Sequence, residues 1–146
     1  MIIERVTESS SANKNTHTHR GYQKSFRYAR DNYLHNPNHI VLDLFARECP
    51  WGDIRVDLNP YFQKHNFTNV TADALEYAKE TQTNSIDIIL LDPPYSERMA
   101  KDKYDEVGTS NLYTNPSYMS NLGKECFRIL ETGGYIIKAG YNSNLP

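Results

Sequence analysis

No apolar run in the sequence approaches the roughly 20 residues that a membrane-spanning helix needs. The polar opening, MIIERVTESSSANKNTHTHR, also lacks the apolar core of a secretory leader. Both absences point to a cytoplasmic protein without a membrane partner. Cysteine is scarce: Cys49 and Cys126 stand far apart, with no Cys or His beside them at metal-ligand spacing. That points away from a disulfide framework and from a zinc site, and suits a reducing compartment. Nor does one sign of charge dominate, since 16 Lys and Arg against 18 Asp and Glu leave a net charge of −2. Net charge therefore announces no partner, although a local basic patch can lie beneath such a sum. The five histidines fall mostly in the first twenty residues and in loops, without an acid or Cys at triad or metal spacing, and read as solvated polar groups.

A chain of 146 residues has room for one sizeable core. Residues 1–20, rich in Ser, Thr, Asn and His, show no apolar periodicity and read as a flexible arm, leaving 21–146 as a single domain. GYQKSFRYARDNYLHN sets Tyr22, Phe26, Ala29, Tyr33 and Leu34 at helical spacing before Pro37 stops the run. Its other aromatic, Tyr28, belongs with the core or the helix surface, and Lys24, Arg27 and Arg30 read as a solvated face. HIVLDLFA, DIRVDLN, NVTAD and SIDIILLD read as four strands, with a helix in ALEYAKETQ between the last two. After a polar loop, PSYMSNLGKECFRILE predicts a helix that buries Leu122, Cys126, Ile129 and Leu130. GYIIKAG then predicts a strand launched by Gly133 and Gly134. Strands alternating with helices predict an α/β three-layer sandwich around a mostly parallel sheet.

Open parallel sheets take ligands beyond the carboxyl ends of their strands, where strand order reverses. In this sequence Asp43 lies near the end of the first strand, Asp57 ends the second, Asp73 the third and Asp92 the fourth. Any one of them can be an ordinary turn or N-cap residue; four together mark the rim of the sheet as the candidate site. The fourth opens the tetrapeptide Asp92-Pro93-Pro94-Tyr95, in which a wholly apolar strand runs straight into an acid, two prolines and an aromatic. The prolines stiffen the chain there.

DPPY after an apolar strand, with an acid ending each earlier strand, resembles the S-adenosylmethionine-dependent methyltransferases that modify exocyclic amino groups of adenine or cytosine. The likeness spans about residues 20–140 and implies a Rossmann-like fold. By that resemblance Asp92 and the Pro93 carbonyl accept hydrogen bonds from the target amino group, and Tyr95 stacks on a base extruded from its duplex. The physical logic holds without the name. An amino nitrogen conjugated with a base ring is a poor nucleophile until acceptors draw its hydrogens out of the ring plane. Unstacking a base costs a few kcal/mol, which stacking on an aromatic side chain offsets.

The cofactor motif departs from that pattern. The family usually carries D-x-F-x-G-x-G after the first strand, whereas this chain reads DLFARECPWG. Asp43 and Phe45 match, Ala46 follows, and Arg47 and Cys49 occupy the two glycine places, so the turn is expected to be rebuilt. Similar turns followed by D-x-N-P and DPPYS resemble a group of small phage-encoded proteins, for which the compartment is the host cytoplasm. Arg47 is expected to face the cofactor carboxylate. Asp57 resembles the acid that accepts both ribose hydroxyls. Asp73 resembles the residue meeting the cofactor's adenine amino group, with Ala74 giving a backbone contact, and its N-cap role can coexist with this. Lys101 and Lys103, in the loop after the tetrapeptide, are candidate phosphate contacts.

The motifs are joined too closely for a separate target-recognition domain. The fifth strand is expected to leave an edge for a second copy or another partner to cover. The expected activity is methyl transfer from S-adenosylmethionine to a base amino group, with adenine N6 in DNA first and cytosine its nearest rival. The alternatives are a cofactor-binding or nucleic-acid-binding protein of the same fold without turnover, and an amino methyltransferase acting on RNA or protein.

Overall fold

The computed structural model describes residues 24–94, 101 and 116–138. The expected arm over 1–20, Tyr22, Tyr95 and Lys103 lie outside the described residues, as do the side chains of Lys24 and Phe26. Helix α1 (Lys24–Tyr33) precedes strand β1 (Val41–Asp43), and β2 is Ile54–Asp57. Helix α2 (Pro60–Lys64), β3 (Val70–Thr71), α3 (Ala74–Glu80) and β4 (Ile86–Leu91) follow. Helix α4 (Tyr118–Ile129) runs directly into β5 (Leu130–Lys138). The five strands form one sheet in the order β3-β2-β1-β4-β5, every neighbouring pair parallel, an arrangement compatible with a Rossmann-like fold. Among the described residues no helix is long and apolar enough to cross a membrane.

The alternation of β1 and β4 divides the core. Leu42, Ile89 and Leu91 face one way and pack with Leu75 and Ala78 of α3 and with Tyr118, Leu122, Cys126 and Ile129 of α4. Val41, Ile88 and Leu90 face the other way, under Tyr33, Leu34 and Trp51. Because β4 is covered on both faces it can be apolar throughout, as its sequence IDIILL nearly is.

Two elements differ from the sequence expectation. Helix α2 was not anticipated: Asn59 caps it by accepting the Tyr61 N–H, and Pro60 takes the first helical position, where its missing N–H costs nothing. Strand β5 begins at Leu130 rather than at the glycines, because the chain passes from helix to strand without a loop and then bulges between the partners of Ile86 and Ile88. Gly133 sits in the bulge at φ 85°, and a Cβ on Gly134 would lie 2.6 Å from the Asp87 carbonyl oxygen. Glycine at 134 is thus a packing requirement, not only a turn preference. Among the described residues β5 pairs with β4 alone and forms one edge of the sheet.

Arg128 ties the helical layer together. Its guanidinium donates to the Ala78 and Thr81 carbonyls at 2.8 and 3.0 Å and to Thr83 Oγ1 at 2.9 Å, while Nε meets Glu125 at 2.6 Å. The last turn of α3 is thereby capped by a cation from α4. Arg128→Ala is expected to lower unfolding free energy by about 1–3 kcal/mol, because carbonyls in a part-buried position lose their donors. Arg128→Lys should recover less than half of that loss, since an ammonium cannot reproduce the fork. Chemical denaturation of the three proteins checks both.

Candidate functional site

Strand β1 carries Asp43 to the sheet rim, where the residue is fully buried and Oδ1 accepts the Phe45 N–H at 3.2 Å. Leu44 still donates to the Leu90 carbonyl of β4, but Ala46 has turned to β2 and donates to Val56 at 3.0 Å. The chain thus leaves β1 and reaches β2 with no helix between them, the connection being residues 44–53. A parallel crossover normally needs a dozen or more residues and a helix. Strands of 3 and 4 residues reduce the distance to be retraced, and two turns followed by an irregular stretch suffice. That segment buries Cys49 and lays Trp51 on the sheet face beneath α1, with the Arg30 guanidinium 5.6 Å from its ring centre. It returns to the start of β1 through Asp53, whose N–H donates to the Val41 carbonyl and whose carboxylate accepts the Val41 N–H.

The rebuilt turn is explicit in the backbone. Arg47, in the first of the two glycine places, has φ 47°, a left-handed conformation that costs a residue with a Cβ roughly 1 kcal/mol. The close approach that glycine permits has moved downstream: a Cβ on Gly52 would lie 3.0 Å from the Asp43 Cβ. Asp57 holds the turn. Its Oδ2 accepts the Arg47 N–H at 3.1 Å and its Oδ1 the Asn59 N–H at 3.0 Å, and the residue is 1% exposed. Strand alternation turns Asp43 and Asp57 to the face opposite Leu42 and Val56, so two buried acids share one small region with Arg47. The Arg47 guanidinium lies 5.6 Å from the centre of the Phe62 ring of α2.

Asp73 sits just past β3 as the N-cap of α3, Oδ1 accepting from Leu75 and Glu76 at 2.9 and 3.1 Å. Tyr118, the first residue of α4, donates its hydroxyl to Asp73 Oδ2 at 2.9 Å and accepts the Leu75 N–H at 3.3 Å. Burial, then the neighbouring Asp73 charge, raise the Tyr118 hydroxyl well above the ordinary tyrosine range, so it remains a donor. Ala74 is buried in the core. On the other side of β1, Asp92 follows Leu91 and is half-buried, with Pro93 and Pro94 buried behind it. Asp43 pairs with Leu90 in register, so the tetrapeptide begins at the rim next to the end of β1. The sheet order reverses between these two strands.

Of the candidate residues, then, Asp43, Phe45, Ala46, Arg47 and Asp57 all lie at the β1–β2 connection or the strand ends that flank it, Arg47 half-buried and the other four buried. Asp92, Pro93 and Pro94 stand beside them across the β1–β4 boundary. Asp73 and Ala74 open α3 beyond β3, and Lys101 is exposed. Phe45 is a core residue, packed among Leu42, Leu44 and Val56 rather than presented at the rim. Among the described residues no group of three His, Cys, Asp or Glu side chains is disposed to hold a metal ion. Burial pushes the Cys126 thiol up to about 12, which leaves it an inert core group. Sequence reasoning missed Tyr118, Asn59 and Lys138, the last pairing with Leu91 at the end of β5. Tyr118 was within reach, since it stands four residues before Leu122 on the same helical stripe. The chain matches no protein-family model and no curated protein.

Asp57 gives the site a distinctive pH dependence. Burial raises its carboxyl from the ordinary 3.8 to about 6, outweighing the two backbone donors and the Arg47 charge that pull it down. A raised carboxyl is protonated in the folded chain while it is already ionised in the unfolded one. Its stabilising contribution is therefore complete below pH 4 and is lost as pH rises to about 6, by up to about 3 kcal/mol. Unfolding free energies measured from pH 4 to 7 for the unmutated protein and for Asp57→Asn should show this decline in the first. The difference between the two proteins should level off above pH 6.5.

Proposed function

We propose that this chain is an S-adenosylmethionine-dependent amino methyltransferase with a class I methyltransferase-like fold, acting on an exocyclic amino group of a nucleic-acid base, adenine N6 in DNA foremost. The observation that carries the reading is the meeting of Asp92-Pro93-Pro94 with the end of β1 at the reversal point of an all-parallel sheet. Part of the rim matches the cofactor's chemistry: the half-buried carboxylate beyond β3 suits an amino group, and the Arg47 guanidinium suits a carboxylate. When bound, the cofactor supplies an electrophilic methyl group on a sulfonium.

The protein's own part is to hold and to accept. Asp92, half-buried, offers acceptor oxygens that would draw an amino hydrogen out of the ring plane, freeing the nitrogen lone pair, and would stabilise the positive charge on the nitrogen as it becomes bonded to carbon, until its proton leaves to the carboxylate or to water. Pro93 and Pro94 keep that acceptor from following the hydrogen, because buried prolines fix φ and leave few alternative conformations. Tyr95 would stack on the base, and Lys101 and Lys103 would meet phosphates. Asp73 is only half-buried and, with the Leu75 and Glu76 N–H groups on Oδ1 and the Tyr118 hydroxyl on Oδ2, keeps one acceptor position on Oδ2 for an amino group, and Ala74 adds backbone beside it. Cys49 and Cys126 are buried and not joined in a disulfide, which suits a reducing cytoplasm.

One observation favours a second reading, a binding protein of this fold without turnover. The glycine turn is replaced by a left-handed Arg47, and Asp57 is buried. Titration calorimetry with S-adenosylmethionine, followed by transfer of labelled methyl to duplex DNA, single-stranded DNA, RNA and protein, decides between them. For the enzyme, Asp92→Ala is expected to lower turnover by about a hundredfold or more while cofactor affinity changes less than about threefold. Tyr95→Ala should also weaken substrate affinity, whereas Tyr95→Phe stays near normal. Heat of binding without transfer to any substrate would support the second reading, and no heat at millimolar cofactor would end both cofactor readings.

A further inference from the structure

We infer that Asp57 acts through the chain around it rather than on a ligand: its carboxylate clamps the β1–β2 connection to the start of α2 and so positions Arg47. The role attached to this acid by resemblance is contact with ribose hydroxyls, and the geometry points elsewhere. Each oxygen already accepts a backbone N–H, at 3.1 Å from Arg47 and 3.0 Å from Asn59. The residue is 1% exposed, so a diol could reach it only after the turn that covers it had moved.

The clamp has a purpose that follows from the missing crossover helix. A helix satisfies its own backbone and holds its own shape; the connection of residues 44–53, which closes one turn on itself from the Cys49 N–H to the Ala46 carbonyl, takes further partners from β1, β2 and β4. At its sharpest point the chain adopts φ 47° at Arg47, a conformation that persists only where surroundings impose it. The Asp57 acceptor is the imposing partner. The same carboxylate fixes Asn59, whose side chain caps α2, and α2 carries Phe62 beneath the Arg47 guanidinium at 5.6 Å. A closed circuit results, from Asp57 to the Arg47 backbone, through the guanidinium to Phe62, and back through α2 and Asn59 to Asp57. Both the backbone and the side chain of Arg47 are held by it. Under the proposed function Arg47 is the charged group for an anionic part of the ligand, and Asp57 is its positioning residue.

The ligand arm of the test rests on the proposed function; the exchange arm does not. By NMR, Asp57→Asn should speed amide hydrogen exchange at Arg47 and Asn59 by about tenfold or more, because an amide offers one acceptor where two donors must be met, while Ile88 and Ile89 stay protected. Unchanged exchange at Arg47 and Asn59 would overturn the clamp. Should that variant not fold, the unmutated protein still decides. The Arg47 and Asn59 amide shifts should titrate together near pH 6, with Arg47 and the buried Asp43 the charged groups acting on the midpoint. Separate midpoints, or none between pH 5 and 7, would count against it.

For the ligand arm, calorimetry compares S-adenosylhomocysteine with its 2′,3′-dideoxy analogue. A clamp predicts that removing the ribose hydroxyls costs the same factor, within about twofold, in the unmutated protein and in Asp57→Asn. It also predicts that Asp57→Asn costs little further affinity once Arg47 is Ala. Direct ribose contact predicts instead that the penalty for the missing hydroxyls disappears in Asp57→Asn, which would sink the inference. If the unmutated protein binds neither compound, the methyltransferase reading fails, and exchange at Arg47 and Asn59 alone settles the clamp.

Discussion

Burial of β4 on both faces and along both edges is the constraint from which the rest of the structure follows. Ile88 and Leu90 on one face and Ile89 and Leu91 on the other are withdrawn from water, worth about 1.5–3 kcal/mol for each side chain fully buried. Such a strand needs a neighbour on each edge to satisfy its backbone and a layer over each face. It finds β1 and β5 at its edges, α3 and α4 over one face, and α1 with Trp51 over the other. Because β4 is paired on both edges and leads into Asp92 and two buried prolines, the segment Asp92-Pro93-Pro94 is anchored to a strand packed on every side. Its position at the reversal of strand order is a consequence of this packing.

The opposite side of the rim is built on a different principle. Where a crossover helix would supply self-sufficient backbone, the β1–β2 connection borrows acceptors from β2, namely the Val56 carbonyl and the Asp57 carboxylate. A buried acid is a costly partner, as its raised titration range attests, since desolvation opposes the charge that makes it a strong acceptor. The short strands make the arrangement feasible, and Gly52 makes it fit against Asp43. Tyr118 and Arg128 perform related service on the helical side, one satisfying the acid that starts α3 and the other the carbonyls that end it. Polar groups of α4 thus brace both ends of a helix of only 7 residues, too short to be stable alone.

Much of this was legible in the chain itself. Short apolar runs located the strands, helical spacing located α1, α3 and α4, and strands followed by helices implied a parallel sheet. The four acids at strand ends were visible too, because a strand's end can be read where its apolar run stops. These features depend on neighbours a few residues apart, and local pattern is enough to specify them. Helix α2 escaped because it spans 5 residues and has no periodicity to detect, although Asn59-Pro60 carried the signature of a capped start.

The sequence by itself determined which segments could be strands, that helices separate the last three of them, and that acids and prolines punctuate their carboxyl ends. Tertiary structure alone decided what each acid does. Asp43, Asp57, Asp73 and Asp92 look alike in the chain, yet one is buried beside its own turn, one clamps a connection, one caps a helix under a tyrosine hydroxyl, and one remains half-open at the rim. Those differences come from partners distant in sequence, such as Tyr118 for Asp73, 45 positions away. A carboxylate's chemistry is set by how much water it keeps and which donors reach it, and both are fixed only when the sheet brings the strand ends together.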